Sequence, residues 1–411
     1  MSDFGLAPQA TLPSRRSLLA FTACSALTAN LPGCALPTRL AAVPRGCAST
    51  ATVLGVPNER FFPTEARGQA ALQREFIEAV ERQVVSRGIQ PTTPLPDLDL
   101  LGLSGGGENG AFGAGLLNGW TERGDRPSFF LVTGISTGAL SAPFAFLGSS
   151  RDAQLKSVFT DITLADVMLE RFYTAAILDD AMADNSPLFR TISRYLDETM
   201  LAEIAQAYAD GRLLLVGTSN LDAQTPVIWN IGAIAQSGHA RALDTVRRIL
   251  VASAAIPGAF APVLFDVTLN GQPFQELHVD GGAFAQLFLY PASVSRFRRE
   301  RLARGQPTAS ARAWVIRNGR LDPEWASTER RTLGIVGRAI TAMIAASGYN
   351  DVLRIHAAAE RDGVDYNLAF IGPDFTLERN KPFDPSYMRP LYEYGRQRVL
   401  RGDAWMKQPP I

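Results

Sequence analysis

The chain has 411 residues, of which 46% are hydrophobic and 19% are charged, the composition of an ordinary globular protein with a substantial core. Forty Lys and Arg residues balance forty Asp and Glu residues, so the formal net charge is zero. This balance argues against a nucleic-acid-binding surface and against an acidic tail, and we expect no nucleic-acid partner.

Residues 1–33 are typical of an export signal. A pair of arginines at positions 15–16 precedes an apolar run over residues 18–31, which is too short and too polar to span a bilayer. The run ends in Leu-Pro-Gly-Cys, which resembles a bacterial lipoprotein cleavage box with Cys34 as the lipidated residue, and the arginine pair resembles a twin-arginine signal. We therefore expect the protein in the bacterial cell envelope, periplasmic or lipid-anchored, or secreted.

Cysteine and histidine usage leaves little room for a metal site. Cys34, if it carries no lipid, can pair with Cys47, and no cysteine follows residue 47. The chain has three histidines, which are His239, His278 and His356. We therefore expect no zinc site.

Residues 34–96 predict an N-terminal arm, one amphipathic helix and a linker. Apolar residues recur every four positions between Glu65 and Arg87, as they do along one face of a helix, and Gly88 ends the pattern. Three prolines between residues 91 and 96 predict a stiff connector.

From residue 97 onward, short apolar runs alternate with helical patterns. The predicted strands are 98–103, 129–133, 213–217, 227–229, 314–316 and 368–371. The predicted helices are 111–120, 140–147, 246–255 and a later one that contains Ile335, Ile340 and Ile344. Asn270-Gly271 predicts the tip of a hairpin. This alternation predicts an α/β fold in which a mostly parallel central sheet is flanked by helices.

The second predicted strand ends in Gly-Ile-Ser-Thr-Gly at residues 134–138. A Gly-x-Ser-x-Gly sequence between a strand and a helix is typical of a nucleophile elbow, in which Ser136 has a strained backbone. Gly134 and Gly138 leave room for the tight bend, and the helix behind Ser136 directs its positive end at developing negative charge. The alternative is an ordinary turn between a strand and a helix.

The first predicted strand ends in a second glycine-rich turn over residues 104–110. Gly105, Gly106 and Gly107 leave their peptide N–H groups unshielded, so these groups can stabilise an oxyanion by roughly a few kcal/mol each. Gly105, Gly107 and Gly110 also match a dinucleotide-binding pattern, but that site needs an acidic residue where the elbow stands. An oxyanion loop is favoured over a nucleotide site and over a purely structural turn.

The strand that returns from the predicted hairpin ends at Asp280, which is followed by Gly281 and Gly282. A serine hydroxyl is a poor nucleophile until its proton is removed, and a desolvated carboxylate beside Ser136 can remove it. Taken alone, Asp280 could instead cap a turn.

In this order the three motifs resemble the patatin-like phospholipase family, which carries a Gly-Gly-Gly-x-x-Gly loop, a Gly-x-Ser-x-Gly elbow and an Asp-Gly-Gly/Ala motif. The resemblance continues through residues 217–222 and the serine-and-proline segment 252–260, and it covers residues 97 to about 300. It implies a three-layer α/β fold with residues 97–300 as the catalytic core. Residues 301–411 would complete the same domain.

The resemblance implies a serine lipid acyl hydrolase of the phospholipase A or lysophospholipase type. Ser136 would be the nucleophile and Asp280 its base, in a dyad without histidine. The oxyanion loop would consist of Gly105, Gly106, Gly107 and Gly110. The implied partners are a phospholipid or another acyl-ester lipid and a membrane surface, with no cofactor and no metal.

The loop departs from the family pattern at two positions. Many members carry Arg or Lys at the position of Asn109 and Asp at the position of Ser104. Without that cation, simple acyl esters and neutral lipids remain open as substrates beside phospholipids.

Two other functions remain open. Ser136, an acid such as Asp280, and His356 occur in the order of an α/β-hydrolase triad, although the residues around His356 predict a helix rather than a loop. His278 shares a strand face with Asp280 and can pack beside that carboxylate. A catalytically silent, envelope-anchored lipid-binding protein would keep the same fold.

Aromatic residues outside the motifs are expected in the core rather than on a lipid-binding surface. They are Trp229, Trp314, Trp325, Phe284 and Phe288. The charge-rich residues 296–304 predict a solvated helix face, and residues 152–201 are a candidate lid.

Overall fold

The computed structural model describes residues 39–89, 97–170, 183–306, 308–328 and 330–410. The predicted export signal, the cleavage box with Cys34 and the proline-rich connector lie outside these residues. The candidate lid lies partly outside them. These expectations stay predictions.

Apolar runs of the sequence form the strands. Within the described residues the strands are β1 (Arg60–Phe61), β2 (Leu98–Leu103), β3 (Leu131–Gly134), β4 (Leu169–Glu170), β5 (Ala183–Asp184), β6 (Leu213–Asn220), β7 (Thr225–Asn230), β8 (Val263–Leu269), β9 (Gln272–Asp280), β10 (Ala311–Arg317) and β11 (Asp365–Phe370). Nine of them form one sheet, while β4 and β5 form a separate two-stranded ribbon.

Five parallel strands form the larger part of the sheet, in the order β6-β3-β2-β10-β11, with β11 last in the order. Beyond β6 the sheet continues with antiparallel β7 and β1. Strand β9 pairs antiparallel with the last residues of β6, which places Asp280 opposite Thr218, and β8 pairs with β9. Parallel neighbours need crossover connections, and in this chain most of those connections contain helices.

The helices follow the predicted alternation. Within the described residues they are α1 (Ala66–Ser86), α2 (Gly110–Arg123), α3 (Thr137–Leu147), α4 (Asp152–Thr160), α5 (Leu164–Val167), α6 (Ser186–Tyr195), α7 (Glu198–Ala209), α8 (Ile231–Gln236), α9 (Ala242–Ser253), α10 (Ala292–Ala303), α11 (Thr332–Asp362) and α12 (Pro385–Arg401). In the part of the chain that the structure describes, we find no helix with the length and apolar character needed to cross a membrane.

Helices cover both faces of the sheet, which gives three layers. Along β2, Leu101 and Leu103 belong to a core that includes residues of α2, α3, α9 and α12. Leu100 points to the other face and belongs to a second core with residues of α1 and α11. Burial on both faces explains why the central strands are continuous apolar runs instead of alternating ones. The predicted α/β fold is confirmed.

The predicted hairpin is also confirmed. Asn270 and Gly271 connect β8 to β9, and both have positive φ angles, 51° and 78°. These are the angles that a two-residue hairpin turn of type I′ requires.

The expectation that all five aromatic residues are buried is wrong for two of them. Trp229 is fully buried, and Trp314 and Phe288 pack against the cores, but Trp325 is 90% exposed and Phe284 is 44% exposed. Both exposed residues lie in loops that follow strand ends at the carboxyl edge of the sheet, Phe284 after β9 and Trp325 after β10.

Candidate active site

Ser136 occupies the turn between β3 and α3. Its backbone has φ 55° and ψ −127°, a conformation that L-residues rarely adopt and that marks a strained elbow. A side chain at Gly138 would place its Cβ 2.2 Å from the carbonyl oxygen of Leu103, and one at Gly134 would collide with Gly138. The close approach of these backbones explains why the elbow needs glycine on both sides of the serine.

The serine-and-proline segment, which begins at the end of α9, holds both candidate catalytic residues. The backbone N–H of Ser136 donates to Oγ of Ser253 at 3.0 Å, and that hydroxyl in turn donates to the carbonyl of Gly217 at 2.7 Å. Two residues further on, the carbonyl of Ala255 accepts the N–H of Asp280 at 2.9 Å. One short stretch of chain therefore fixes the elbow relative to the end of β9.

Asp280 brings a buried carboxylate to the elbow. One of its oxygens accepts the N–H of Gly282 at 2.7 Å, and the side chain lies within the interior. Burial raises the pKa of Asp280 to about 7, although hydrogen bonding with the Ser136 hydroxyl and with Gly282 lowers it in part. A carboxylate with such a pKa is a much better proton acceptor near neutral pH than an ordinary aspartate.

The glycine-rich turn lies over the same edge of the sheet. The N–H of Gly105 donates to the carbonyl of Gln286 at 3.3 Å, and the N–H of Gly110 bonds within its own turn to Gly107 and Glu108. Among the described residues, no hydrogen bond engages the N–H of Gly106 or Gly107. Of the predicted oxyanion donors, these two amides are the ones available to a ligand.

The last residue of β10 and the residue that follows it hold the turn in place. The guanidinium of Arg317 donates to the Ser104 hydroxyl and to the Gly105 carbonyl, both at 3.2 Å. The backbone N–H of Asn318 donates to Ser104 Oγ at 2.8 Å, and a side chain at Gly106 would meet the backbone carbonyl oxygen of Asn318 at 2.0 Å. Ser104 therefore anchors the loop through its own hydroxyl.

The turn also carries an ion pair that the sequence does not reveal. Asn109 provides no cation, but its side-chain oxygen accepts the Tyr387 hydroxyl at 2.9 Å. The neighbouring Glu108 is buried and pairs with Arg379 at 2.6 Å. A cation thus lies next to the oxyanion turn, with its charge balanced by Glu108.

An apolar cavity opens at the elbow. It encloses about 800 Å³ of empty space, part of it open to solvent, and both Ser136 and Gly107 line it. Its walls come mainly from aliphatic and aromatic side chains of α3, α4, α6, α7 and α9, including Leu140, Phe159 and Ile192. A cavity of this size and lining suits a hydrocarbon chain.

The histidines lie elsewhere. His278 is fully buried, and its two ring nitrogens contact Glu276 at 3.1 Å and Thr218 at 2.9 Å. Burial lowers the pKa of His278. His356 is on α11, where its ring packs against Tyr366 near the start of β11, away from the carboxyl edge. Among the described residues, no hydrogen bond joins a histidine to Ser136 or Asp280.

Sequence reasoning missed the residues that position the site. Ser253, Gln286, Arg317 and Asn318 all bond to the elbow or to the glycine-rich turn. The polar pair at 317–318 follows directly after a predicted strand, which is where sites form in α/β sheets, so it carried a usable signal. The sequence around Gln286 contains no such signal, because nothing in it indicates a contact with the glycine-rich turn, which is distant along the chain.

A strained serine beside a buried carboxylate, at the carboxyl edge of an α/β sheet, defines a class of serine acyl hydrolases. Residues 101–292 match the model of the patatin-like phospholipase family, so the chain carries a patatin-like phospholipase domain and the resemblance of its motifs is confirmed. The crystal structure of VipD from Legionella pneumophila is similar at 11% identity with a TM-score of 0.33, over 75% of this chain and 67% of that one. A comparison with curated proteins finds no match.

Proposed function

We propose that the protein is a serine lipid acyl hydrolase of the phospholipase A or lysophospholipase type, acting through Ser136 and Asp280. The observation that carries the proposal is a serine hydroxyl that interacts with a buried carboxylate and also lines an apolar cavity. This combination provides an activated nucleophile and an apolar site for an acyl chain. The family match supports lipid as the class of substrate.

In the first half of the reaction, the Asp280 carboxylate takes the proton of the Ser136 hydroxyl while Oγ attacks the ester carbonyl carbon. The carbonyl oxygen becomes an oxyanion that accepts hydrogen bonds from the N–H groups of Gly106 and Gly107, near the positive end of α3. Cleavage of the ester bond releases the alcohol, which takes the proton back from Asp280. The acyl group remains on Ser136.

In the second half, Asp280 takes a proton from a water molecule, whose oxygen attacks the acyl carbon. The bond between Ser136 Oγ and the acyl carbon breaks, and Oγ recovers a proton from Asp280. The products are a fatty acid and the free enzyme. Every proton passes through one carboxylate, so the scheme needs no histidine.

Head-group selectivity follows from the ion pair beside the turn. Because Glu108 balances the charge of Arg379, the site lacks the net positive charge that would strongly favour an anionic phosphate. We propose that phospholipids, lysophospholipids and neutral acyl esters are all accepted. We also propose that the protein acts in the bacterial cell envelope or outside the cell, on the basis of the export signal predicted for residues 1–33.

A fluorophosphonate probe tests the nucleophile. We expect covalent labelling of the wild-type protein and hydrolysis of phosphatidylcholine and lysophosphatidylcholine, with neither activity in Ser136→Ala. Ser141→Ala is the matched control, because Ser141 is a buried serine on α3 that only donates to the Thr137 carbonyl, and it should stay active. Asp280→Asn should abolish hydrolysis, whereas His356→Ala should retain most of it.

Two outcomes would reject the proposal. The absence of any adduct on the folded wild-type protein would favour a catalytically silent lipid-binding protein. Loss of hydrolysis in His356→Ala with full activity in Asp280→Asn would favour a triad enzyme.

A further inference from the structure

Exposed hydrophobic side chains are concentrated at the edge of the sheet that carries the site. Of the twelve large ones in the described structure, seven lie on segments that follow strand ends at this edge: Leu221, directly after β6, and six others that follow β9, β10 and β11. We call these six residues the apolar edge: Phe284, Trp325, Ile335, Val336, Met343 and Leu377.

Three of the six lie on the first half of α11, which projects past the sheet. The helix has 31 residues and is therefore about 46 Å long, whereas the six residues of β11 span about 20 Å. The helix ends just before β11 begins, and Val352, Ile355 and Ala359 of its second half are in the core. Its first half must therefore extend beyond the carboxyl edge of the parallel strands, the edge at which Ser136 lies.

The projecting half is mainly apolar and is largely uncovered by the described residues, with Arg338, Ile340 and Ile344 half-exposed. Every residue from 334 to 346 is exposed or half-exposed, and Arg338 is the one charged residue among them. A helix that is apolar on all sides is normally buried, in a core or in lipid. Here it lies in neither a core nor a groove of the described protein.

This pattern of exposure favours a lipid surface over a protein partner. A second protein would cover one side of the helix and leave apolar residues on the other side in water, whereas the boundary of a bilayer can surround a helix that enters it. Trp325 lies alongside, because the guanidinium of Arg338 donates to the carbonyl of Glu324. Tryptophan is enriched at membrane interfaces, and a long arginine side chain can keep its charge in the head-group layer.

The root of the projecting helix contacts the residues that hold the glycine-rich turn in place. A side chain at Gly348 would lie 2.7 Å from the guanidinium carbon of Arg317, the residue that holds the Gly105 carbonyl. The carboxylate of Asp351 accepts the N–H groups of Gln286 and Leu287 at 2.7 and 3.1 Å. The apolar edge is therefore continuous with the structure that holds the oxyanion loop.

We propose that the apolar edge is the surface through which the protein binds a lipid bilayer, with the first half of α11 entering the boundary between head groups and acyl chains. The proposal rests on the proposed function, in that the substrate is a membrane lipid. Docking through this edge brings the elbow and its cavity to the source of the substrate.

Flotation with phosphatidylcholine vesicles tests whether the apolar edge binds a lipid bilayer. The parent protein and all variants in this experiment carry Cys34→Ser, so that no acyl chain at residue 34 can anchor the protein to the vesicle. The double substitution Ile335→Asp and Met343→Asp should weaken vesicle binding by about tenfold or more, because each carboxylate would have to leave water. Val85→Asp is the matched control, since Val85 is a 79% exposed apolar residue on α1, and it should bind like the parent.

The fluorescence of Trp325 reports directly on whether the apolar edge enters the bilayer. Vesicles of brominated phosphatidylcholine should quench the tryptophan fluorescence of the parent, and Trp325→Phe should remove most of that quenching. Flotation of the double variant equal to that of the parent would overturn the proposal. So would quenching that does not depend on Trp325, or a parent dimer that the double substitution dissociates without affecting flotation.

Hydrolysis of a dissolved ester and flotation with vesicles distinguish a failure of catalysis from a failure of membrane binding. Hydrolysis of a dissolved short-chain ester should be the same in the parent, the double variant and the control, since none of these substitutions touches the site. Ser136→Ala should float like the parent. If the parent floats but hydrolyses no ester, the catalytic proposal is rejected and the docking surface stands.

Discussion

Replacing Asp280 by asparagine should make the protein more stable while it abolishes catalysis. The carboxylate is buried, and burial is the main cause that raises its pKa from an ordinary 3.8 to about 7. Asparagine keeps an oxygen that can accept the N–H of Gly282, but it never has to carry a charge in the interior.

The sign and size of the stability difference between the wild-type protein and Asp280→Asn follow from the coupling of protonation to folding. A carboxyl group whose pKa is raised on folding contributes stability that is complete below its unfolded pKa, near pH 4, and is lost as the pH rises through the folded pKa, near pH 7. Over that interval the wild-type protein loses about 1.4 kcal/mol per pH unit relative to the asparagine variant. The difference between pKa values of 3.8 and about 7 therefore amounts to about 4 kcal/mol at pH 8.

Urea unfolding of both proteins at pH 4, 6 and 8 measures this difference. We expect nearly equal free energies of unfolding at pH 4 and an increasing advantage for Asp280→Asn towards pH 8. Asp266→Asn is the control, because Asp266 is an exposed carboxylate on β8 and its replacement should give no such trend. A variant that is less stable than the wild type at every pH would refute the view that Asp280 is a desolvated base.

Two further predictions concern activity. The kcat/KM of the wild-type enzyme should rise with pH and reach half its plateau near pH 7, because only the ionised form of Asp280 accepts the serine proton; an unchanged rate between pH 5 and 8 would contradict this assignment. Ile192→Trp should fill part of the cavity, lowering kcat/KM for a sixteen-carbon acyl ester by about tenfold or more while sparing a butyryl ester. Equal losses on both esters would show that the cavity does not hold the acyl chain.

The motifs were predictable because each is local. The glycines of the elbow and the turn, the acid at the end of a returning strand, and the apolar runs between them all express their constraints within a few residues. Strand β2 has the predicted bounds, and the Asn270-Gly271 turn has the φ angles that its residue types favour.

What the sequence could not provide is the set of contacts between distant segments. The sequence of the glycine-rich turn does not show which of its backbone N–H groups lack a hydrogen-bond partner within the described residues. That depends on a distant residue, because the Gln286 carbonyl accepts the N–H of Gly105. The Ser253 hydroxyl reaches the Ser136 amide across 117 positions of chain. Trp325 looked like a core residue because tryptophans usually are, but its loop lies past the end of the sheet.

The pairing of β9 with β6 also determines when the enzyme can become active. Strand β9 reaches the site only by pairing with the far end of β6, and the two reacting side chains come from positions 136 and 280. Contacts so distant in sequence form late, since the intervening loop must first be closed by the rest of the sheet. Under the proposed function, a nascent or partly folded chain lacks the pairing of Ser136 with Asp280 and would hydrolyse no lipid until this part of the sheet is complete.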